Sequence, residues 1–205
     1  MNKENILKAI EELRKGKKRK FEQTADLIIN LKNFDIKKDS VNLFLDLPYK
    51  IKDAKICAFF DKKIEGIDCI TREEFARYKD KKTIKKMIKS YDFFISSADL
   101  MPQVAAIFGR YLGPAGKMPS PQLGIIKQEK EIKTIIKKFE NIVRVKSKEP
   151  SLKFSIGREN MKNEEMEENV MTAYNSIEKA LSRGKENVRS VMLKFSMTKP
   201  IKLEI

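Results

Sequence analysis

Residues 109–122 read Gly-Arg-Tyr-Leu-Gly-Pro-Ala-Gly-Lys-Met-Pro-Ser-Pro-Gln. Three of the chain's eight glycines and three of its seven prolines fall in this stretch. Proline fixes φ and removes a backbone donor, and glycine opens conformations closed to other residues, so the run is expected to be a specified loop, neither regular helix nor central strand. The Gly116-Lys117 pair invites comparison with a phosphate-binding loop. That motif needs four residues between its glycines and a Ser or Thr after the lysine. Here only Pro114 and Ala115 separate Gly113 from Gly116, and Met118 follows Lys117.

The sequence on either side of the loop changes style twice. From Ile56 to about Val145, the apolar runs Ile56–Phe60, Tyr91–Ser96 and Ile142–Val145 alternate with helical stretches near Thr71–Tyr78, Lys81–Lys89, Leu100–Phe108 and Glu129–Phe139. Continuous apolar runs between helices predict a largely parallel sheet covered on both faces, an inserted three-layer α/β, Rossmann-like domain.

The ends of the chain read differently. A helix over Lys3–Lys15 is followed by strict alternation from Phe21 to Lys32, then by a strand over Val41–Leu47. Alternation returns at Leu152–Gly157, before a long helix over Asn163–Arg183 that Gly184 should stop, and strands over Val188–Met197 and Ile201–Glu204. The two ends together are expected to form an α+β domain with a split sheet. The predicted domains are therefore 1–53 with 149–205, and 54–148, with a hinge near Tyr49–Asp53 and Lys148–Ser151.

Composition narrows the function. The 44 Lys+Arg against 29 Asp+Glu leave a net charge of +15, which points to a polyanionic partner. No apolar run is long enough to span a bilayer and the first residues lack a signal-peptide core, so a soluble, cytoplasmic protein without membrane attachment is expected. The chain has no His, which removes His-dependent catalysis and leaves no zinc quartet; no enzyme activity, metal or other cofactor is expected. Cys57 and Cys69 are not expected to pair, and Cys57 should be a buried structural thiol.

Three places combine cations with small polar or aromatic groups, as RNA recognition requires. The first is Lys17–Thr24, where four consecutive cations lead into Phe21; by parity with Leu27 and Ile29, Phe21 could equally be a core residue. The second is the strand face of Lys153, Ser155 and Gly157, with Arg158 beside it. The third is Ser190 with the strip Lys194-Phe195-Ser196-Met197-Thr198, where Met197 could also be a core gap-filler.

The pattern GRxLGPxGKMPxP resembles the signature of the large-subunit ribosomal protein L-one family, the stalk proteins, with Ala115 where that family usually has Arg. Tyr91-Asp92-Phe93-Phe94 and Ala98-Asp99-Leu100-Met101-Pro102 resemble its archaeal members. The resemblance extends over essentially the whole chain and carries the same discontinuous two-domain plan. Lys20, Phe21 and Thr24 match the family's Phe and polar residues at the RNA surface. Ser196 and Met197 match its Thr-Met-Gly-Pro contact, with Thr198 replacing the Gly and Lys199 the Pro.

The resemblance implies a protein that is monomeric when free and part of the large subunit otherwise. It would bind the stalk region of large-subunit rRNA, assist release of exit-site tRNA, and repress translation of its own mRNA. With the three places read from the residues, the expected RNA-binding set is Lys20, Phe21, Thr24, Lys153, Ser155, Gly157, Arg158, Ser190, Lys194, Ser196, Met197 and Thr198. Arg110, Gly113, Pro114, Gly116 and Lys117 would form a secondary RNA-facing or hinge loop. The alternative is a basic protein that binds any RNA, with affinity set by salt and length alone.

Overall fold

In the computed structural model, the chain runs α1 (Lys3–Arg14), β1 (Thr24–Leu31), β2 (Asn42–Asp46), β3 (Ile56–Phe59), β4 (Asp68–Ile70), α2 (Lys81–Ser90), β5 (Phe93–Ser97) and α3 (Met101–Ala115). It continues through β6 (Ile125–Ile126), α4 (Ile132–Asn141), β7 (Ile142–Lys146), β8 (Ser151–Arg158), α5 (Asn163–Ala180), β9 (Val188–Phe195) and β10 (Ile201–Leu203). The structure describes residues 2–16, 19–35, 39, 41–51, 54–63, 67–78, 80–120, 124–126, 132–147 and 149–204. Lys17, Lys18, Asp53, Pro121, Gln122 and Lys148 lie outside the described residues. Two compact units result, one of Met1–Lys52 with Glu140–Ile205 and one of Asp53–Phe139.

The first unit is built on an antiparallel sheet of order β10-β9-β1-β8. Period-two patterning turns Ala25, Leu27, Ile29 and Leu31 of β1 inward, where they meet Val191, Leu193 and Phe195 of β9 and Leu152, Phe154 and Ile156 of β8. Helices α1 and α5 cover that face with Ile6, Ile10, Leu13, Val170, Ala173 and Ile177. Asn2 caps α1 by accepting the Glu4 amide. Helix α5 ends at Ala180, earlier than the expected Arg183, because Leu181 turns extended and buries its side chain in the same core. Gly184, at φ 54°, instead opens the short 3-10 turn that leads into β9.

The strand Ile142–Lys146 corrects the expected domain plan. It does not join the parallel sheet but pairs antiparallel with β2, Leu45 opposite Val143 and Leu43 opposite Val145. Its buried Val145 therefore packs in the first unit's core with Leu45 and Leu47. Strands β7 and β8 both lie in the first unit, and the second crossing between units falls at Phe139/Glu140. A short apolar run has the same appearance in either sheet, so period and composition could not assign it.

The second unit is a parallel sheet of order β4-β3-β5-β6. Alternate residues of β3 face opposite cores. Cys57 and Phe59 pack with Phe75, Ile84, Val104, Phe108 and Leu112, whereas Ile56 and Ala58 pack with Ile95, Ile126 and Phe139 of α4. This is a three-layer α/β arrangement. The Cys57 thiol, buried in it, is pushed up to about 12, chiefly by desolvation, which makes it an inert structural group at neutral pH.

The Gly/Pro stretch is not wholly a loop. Helix α3 continues through Gly109-Arg110-Tyr111-Leu112-Gly113-Pro114 to Ala115, with Phe108 and Leu112 fully buried. Pro114 stands in the last turn, where it removes one helical donor just before the helix ends. Gly116, at φ 71°, takes the left-handed position that ends the helix: its N–H bonds the Gly113 carbonyl (2.9 Å) and the Lys117 N–H bonds the Leu112 carbonyl (3.0 Å). These two bonds form a Schellman cap. The cap sets the direction of Lys117, whose ammonium donates to the carbonyls of Ile88 (2.7 Å) and Tyr91 (2.6 Å) at the C-terminus of α2.

Lys117 thus closes a helix end within the unit, where its charge also meets the negative end of the helix dipole. Replacing it with methionine keeps the aliphatic stem and removes the donor. Lys117→Met is expected to lower the second unit's stability by about 1–2 kcal/mol, read as a drop in melting temperature. An unchanged melt would show that these two bonds add no net stability to the second unit.

Candidate nucleic-acid interface

The outward face of the four-stranded sheet carries Thr24, Asp26, Ile28 and Asn30 of β1, all half-buried. Register places Lys194 and Ser155 on either side of Asp26, Met192 and Lys153 beside Ile28, and Ser190 and Ser151 beside Asn30. Asn30 Nδ2 donates to Ser190 Oγ at 3.0 Å.

A β-bulge shapes one end of this face. Ala25 pairs with Gly157 while Asp26 pairs with Ser155, so Ile156 is the extra residue. Its consequence corrects one expected site residue. Gly157 does not share the face of Lys153 and Ser155; it points inward, where an added Cβ would lie 2.6 Å from Met161 Sδ and 3.8 Å from Met166 Cε. The same shift returns Arg158 to the outward face opposite Thr24. There its guanidinium bonds Glu22 Oε2 at 2.9 Å. Glu22, Thr24, Ile51, Ser155 and Arg158 line a cavity of about 260 Å³.

Gln23 organises this end, a role its polar type did not suggest. It is 2% exposed. Its Oε1 accepts the Met197 N–H (3.1 Å), and both Nε2 and the backbone N–H donate to Glu159 Oε2 (3.2 and 3.3 Å). One buried amide therefore ties the turn after β8 to the turn after β9. The signal was present in the sequence: Gln23 has the inward parity of Ala25 and Leu27.

The alternation ends at Gln23, before the ladder begins at Thr24, so Phe21 is not held in the core. It is 54% exposed, and Met197 is 57% exposed. Ser196 N–H donates to the Thr24 carbonyl (3.1 Å), and the Ser196 hydroxyl accepts the Thr24 N–H (3.3 Å). Thr198 closes the following turn. Its hydroxyl accepts the Phe195 N–H (2.9 Å) and its own N–H donates to the Phe195 carbonyl (3.1 Å). The Thr side chain thereby holds a tight turn without a left-handed backbone, since Asn33 is the only non-glycine residue at positive φ among the described residues.

Of the expected residues, the structure brings Phe21, Thr24, Ser155, Arg158, Ser196 and Met197 to one end of the face, with Lys194 and Lys153 along it and Ser190 farther along. Lys20 is exposed just before Phe21. Gly157 and Thr198 support the backbone around them. In the second unit, Arg110, Gly113 and Pro114 are exposed on α3, and an added Cβ at Gly109 or Gly113 would meet nothing within 4 Å.

Burial pushes the Asp26 carboxyl above the ordinary range, and the charge of Lys194 opposes it. A raised carboxyl value means that ionisation opposes folding. Its favourable contribution is complete below the unfolded value and is lost as pH rises through the folded one. Asp26→Asn should therefore melt at or above the parent at pH 7, and the difference should shrink below about pH 4, where Asp is neutral in both states. A lower melting temperature at pH 7 would show that attraction to Lys194 outweighs burial.

The architecture is a split antiparallel α/β unit into which a parallel α/β unit is inserted, with an open, mixed-charge sheet face on the first. The chain belongs to the ribosomal protein L1p/L10e family, whose family model matches residues 13–199. It is 33% identical over 216 residues to the large ribosomal subunit protein uL1 of Pyrobaculum calidifontis, covering 100% of this chain and 95% of that protein. It is 36% identical over 200 residues to the uL1 of Nanoarchaeum equitans, covering 92% and 94%. With the uL1 of Thermococcus kodakarensis the identity is 33% over 216 residues, covering 99% and 98%. Among the described residues no helix is long and apolar enough to cross a membrane.

Proposed function

We propose that this chain is a cytoplasmic protein of the large ribosomal subunit and binds the stalk region of large-subunit rRNA through the outward sheet face of its first unit. The observation that carries the reading is the pair Phe21 and Met197. These are two of three large apolar side chains that are exposed among the described residues. Buried Gln23 fixes the Met197 backbone, and Arg158 stands beside Thr24. A flat apolar element beside cations and small hydroxyls is the combination that stacks on unpaired bases and grips the backbone.

Lys20, Arg158, Lys194 and Lys153 would neutralise phosphates, and the Thr24, Ser155, Ser190 and Ser196 region would meet the sugar edge. Assistance in exit-site tRNA release, and repression of the protein's own mRNA through a stalk-like structure on the same face, extend the reading. The family membership and the uL1 names of the relatives support it.

Phe21→Ala and Met197→Ala test it. Phe21→Ala is expected to weaken binding of a stalk rRNA fragment by about 1–3 kcal/mol, the cost of losing one base-stacking aromatic ring, and Met197→Ala to weaken it in the same direction by less. Melting temperatures should stay close to the parent because both side chains are exposed. Binding to a scrambled hairpin should change little. If the parent binds stalk and scrambled hairpin equally well, the assignment fails.

A further inference from the structure

The candidate face is not simply basic. Three of its strand cations have a carboxylate beside them; Lys202, opposite Met192 on β10, and Arg189 of β9 are further exposed cations on the same strands. Arg158 bonds Glu22 at 2.9 Å, Lys153 bonds Glu149 at 3.1 Å, and Lys194 lies directly opposite Asp26 in the β1–β9 register. In a chain with a net charge of +15, a face evolved only to attract polyanions would leave these cations unopposed. Surface pairs of this kind add little stability, so structural need does not account for their placement. Asp26 is kept in a half-buried position at the cost of desolvation.

The spacing suggests what the acids meet. Directly opposed residues on a sheet face are neighbours about 5 Å apart, so Asp26 and Lys194 stand at close quarters, and Glu22 and Glu149 sit against Arg158 and Lys153 at the two ends of β8. Along an RNA strand, anionic phosphates alternate with riboses that carry a 2′-hydroxyl donor. A cation suits the phosphate; a carboxylate, which can only accept, suits the hydroxyl.

Resting on the RNA-binding reading above, we propose that Glu22, Asp26 and Glu149 are specificity-determining residues: they accept hydrogen bonds from ribose 2′-hydroxyls of the bound RNA and hold the three cations against any polyanion that lacks such donors. A phosphate chain without hydroxyls must separate each pair and leave the acid facing phosphate. RNA replaces both partners at once.

The test compares the full-length parent with the triple variant Glu22→Gln, Asp26→Asn, Glu149→Gln, and with the Glu22→Gln single variant as a milder change. Three probes are titrated: the stalk rRNA fragment, a scrambled hairpin and inorganic polyphosphate. Melts confirm that each variant is folded. The triple variant should bind polyphosphate about tenfold more tightly, with a salt slope steeper by about 2, since each newly available cation adds about 0.7–0.9. Its affinity for stalk RNA should fall about tenfold or more, since losing even one charged acceptor costs on that order. Glu22→Gln should move both affinities in the same directions by less.

Equal gains for stalk RNA and polyphosphate would reduce the acids to simple repulsion and overturn the proposal, as would no change for either. A parent that fails to prefer stalk RNA over the scrambled hairpin would instead defeat the underlying function, and the proposal with it.

Discussion

Replacing Asn169 with leucine is expected to cost the first unit about 3–5 kcal/mol, because one buried and two part-buried backbone groups lose their partner at roughly 1–3 kcal/mol each, with partial relaxation. Asn169 is 0% exposed on α5. Its Oδ1 accepts the Tyr49 N–H (3.1 Å), and its Nδ2 donates to the carbonyls of Tyr49 (3.2 Å) and Ile156 (2.9 Å). Leucine has the same branched skeleton but bulkier methyl ends, so no cavity forms and the loss reports the missing hydrogen bonds together with some crowding. A drop in melting temperature of roughly 10–15 °C is expected for a unit of this size.

The same three bonds link stability to the interface. Ile156 is the bulged residue that returns Arg158 to the outward face, and Tyr49 stands shortly before the chain leaves the first unit at Lys52. Tyr49 is also set against Glu168, whose charge, followed by burial, pushes its phenol up. Asn169→Leu should therefore weaken stalk binding by several-fold even at temperatures where it is folded, because the bulge loses its tether. Asn169→Asp discriminates further: it keeps an acceptor for Tyr49 but cannot donate to Ile156, and buries a charge, so it should be at least as damaging. An Asp variant that melts and binds like the parent would show that the donated bonds are not what holds the bulge.

The sequence displayed the elements of the first unit well, because period two in β1 and the 3.6-residue stripe of α5 are strong local signals. The bulge at Ile156 was not legible, since nothing in Leu152-Lys153-Phe154-Ser155-Ile156-Gly157 marks where one residue is skipped. That single step moved Gly157 inward and Arg158 outward. Phe21 shows the complementary limit: its parity is inward, but alternation constrains a side chain only inside a ladder, and the ladder begins at Thr24. In the second unit, glycine and proline read as loop formers. The helix there survives because Phe108 and Leu112 are buried on one stripe and Pro114 comes only at the final turn. Tertiary burial outweighed local propensity.

Phe59→Ala is expected to separate the two units experimentally. Phe59 is fully buried, and its ring meets Phe108 at 5.1 Å, Phe94 at 5.8 Å and Phe75 at 5.9 Å between centroids. Truncating it removes a large apolar side chain and leaves a void among three aromatic neighbours, at a cost of about 3–5 kcal/mol. The second unit's transition should fall by roughly 15–25 °C on that basis. The groups assigned to RNA all lie in Met1–Lys52 and Glu140–Ile205, whose core shares no residue with the Phe59 cluster. Stalk-fragment affinity should then stay within about twofold of the parent at a temperature where the first unit is folded, since sites without shared partners act independently. A parallel loss of stalk binding would mean that the second unit supplies a principal part of the RNA contact, and Arg110 with its exposed neighbours on α3 would be the surface to test next.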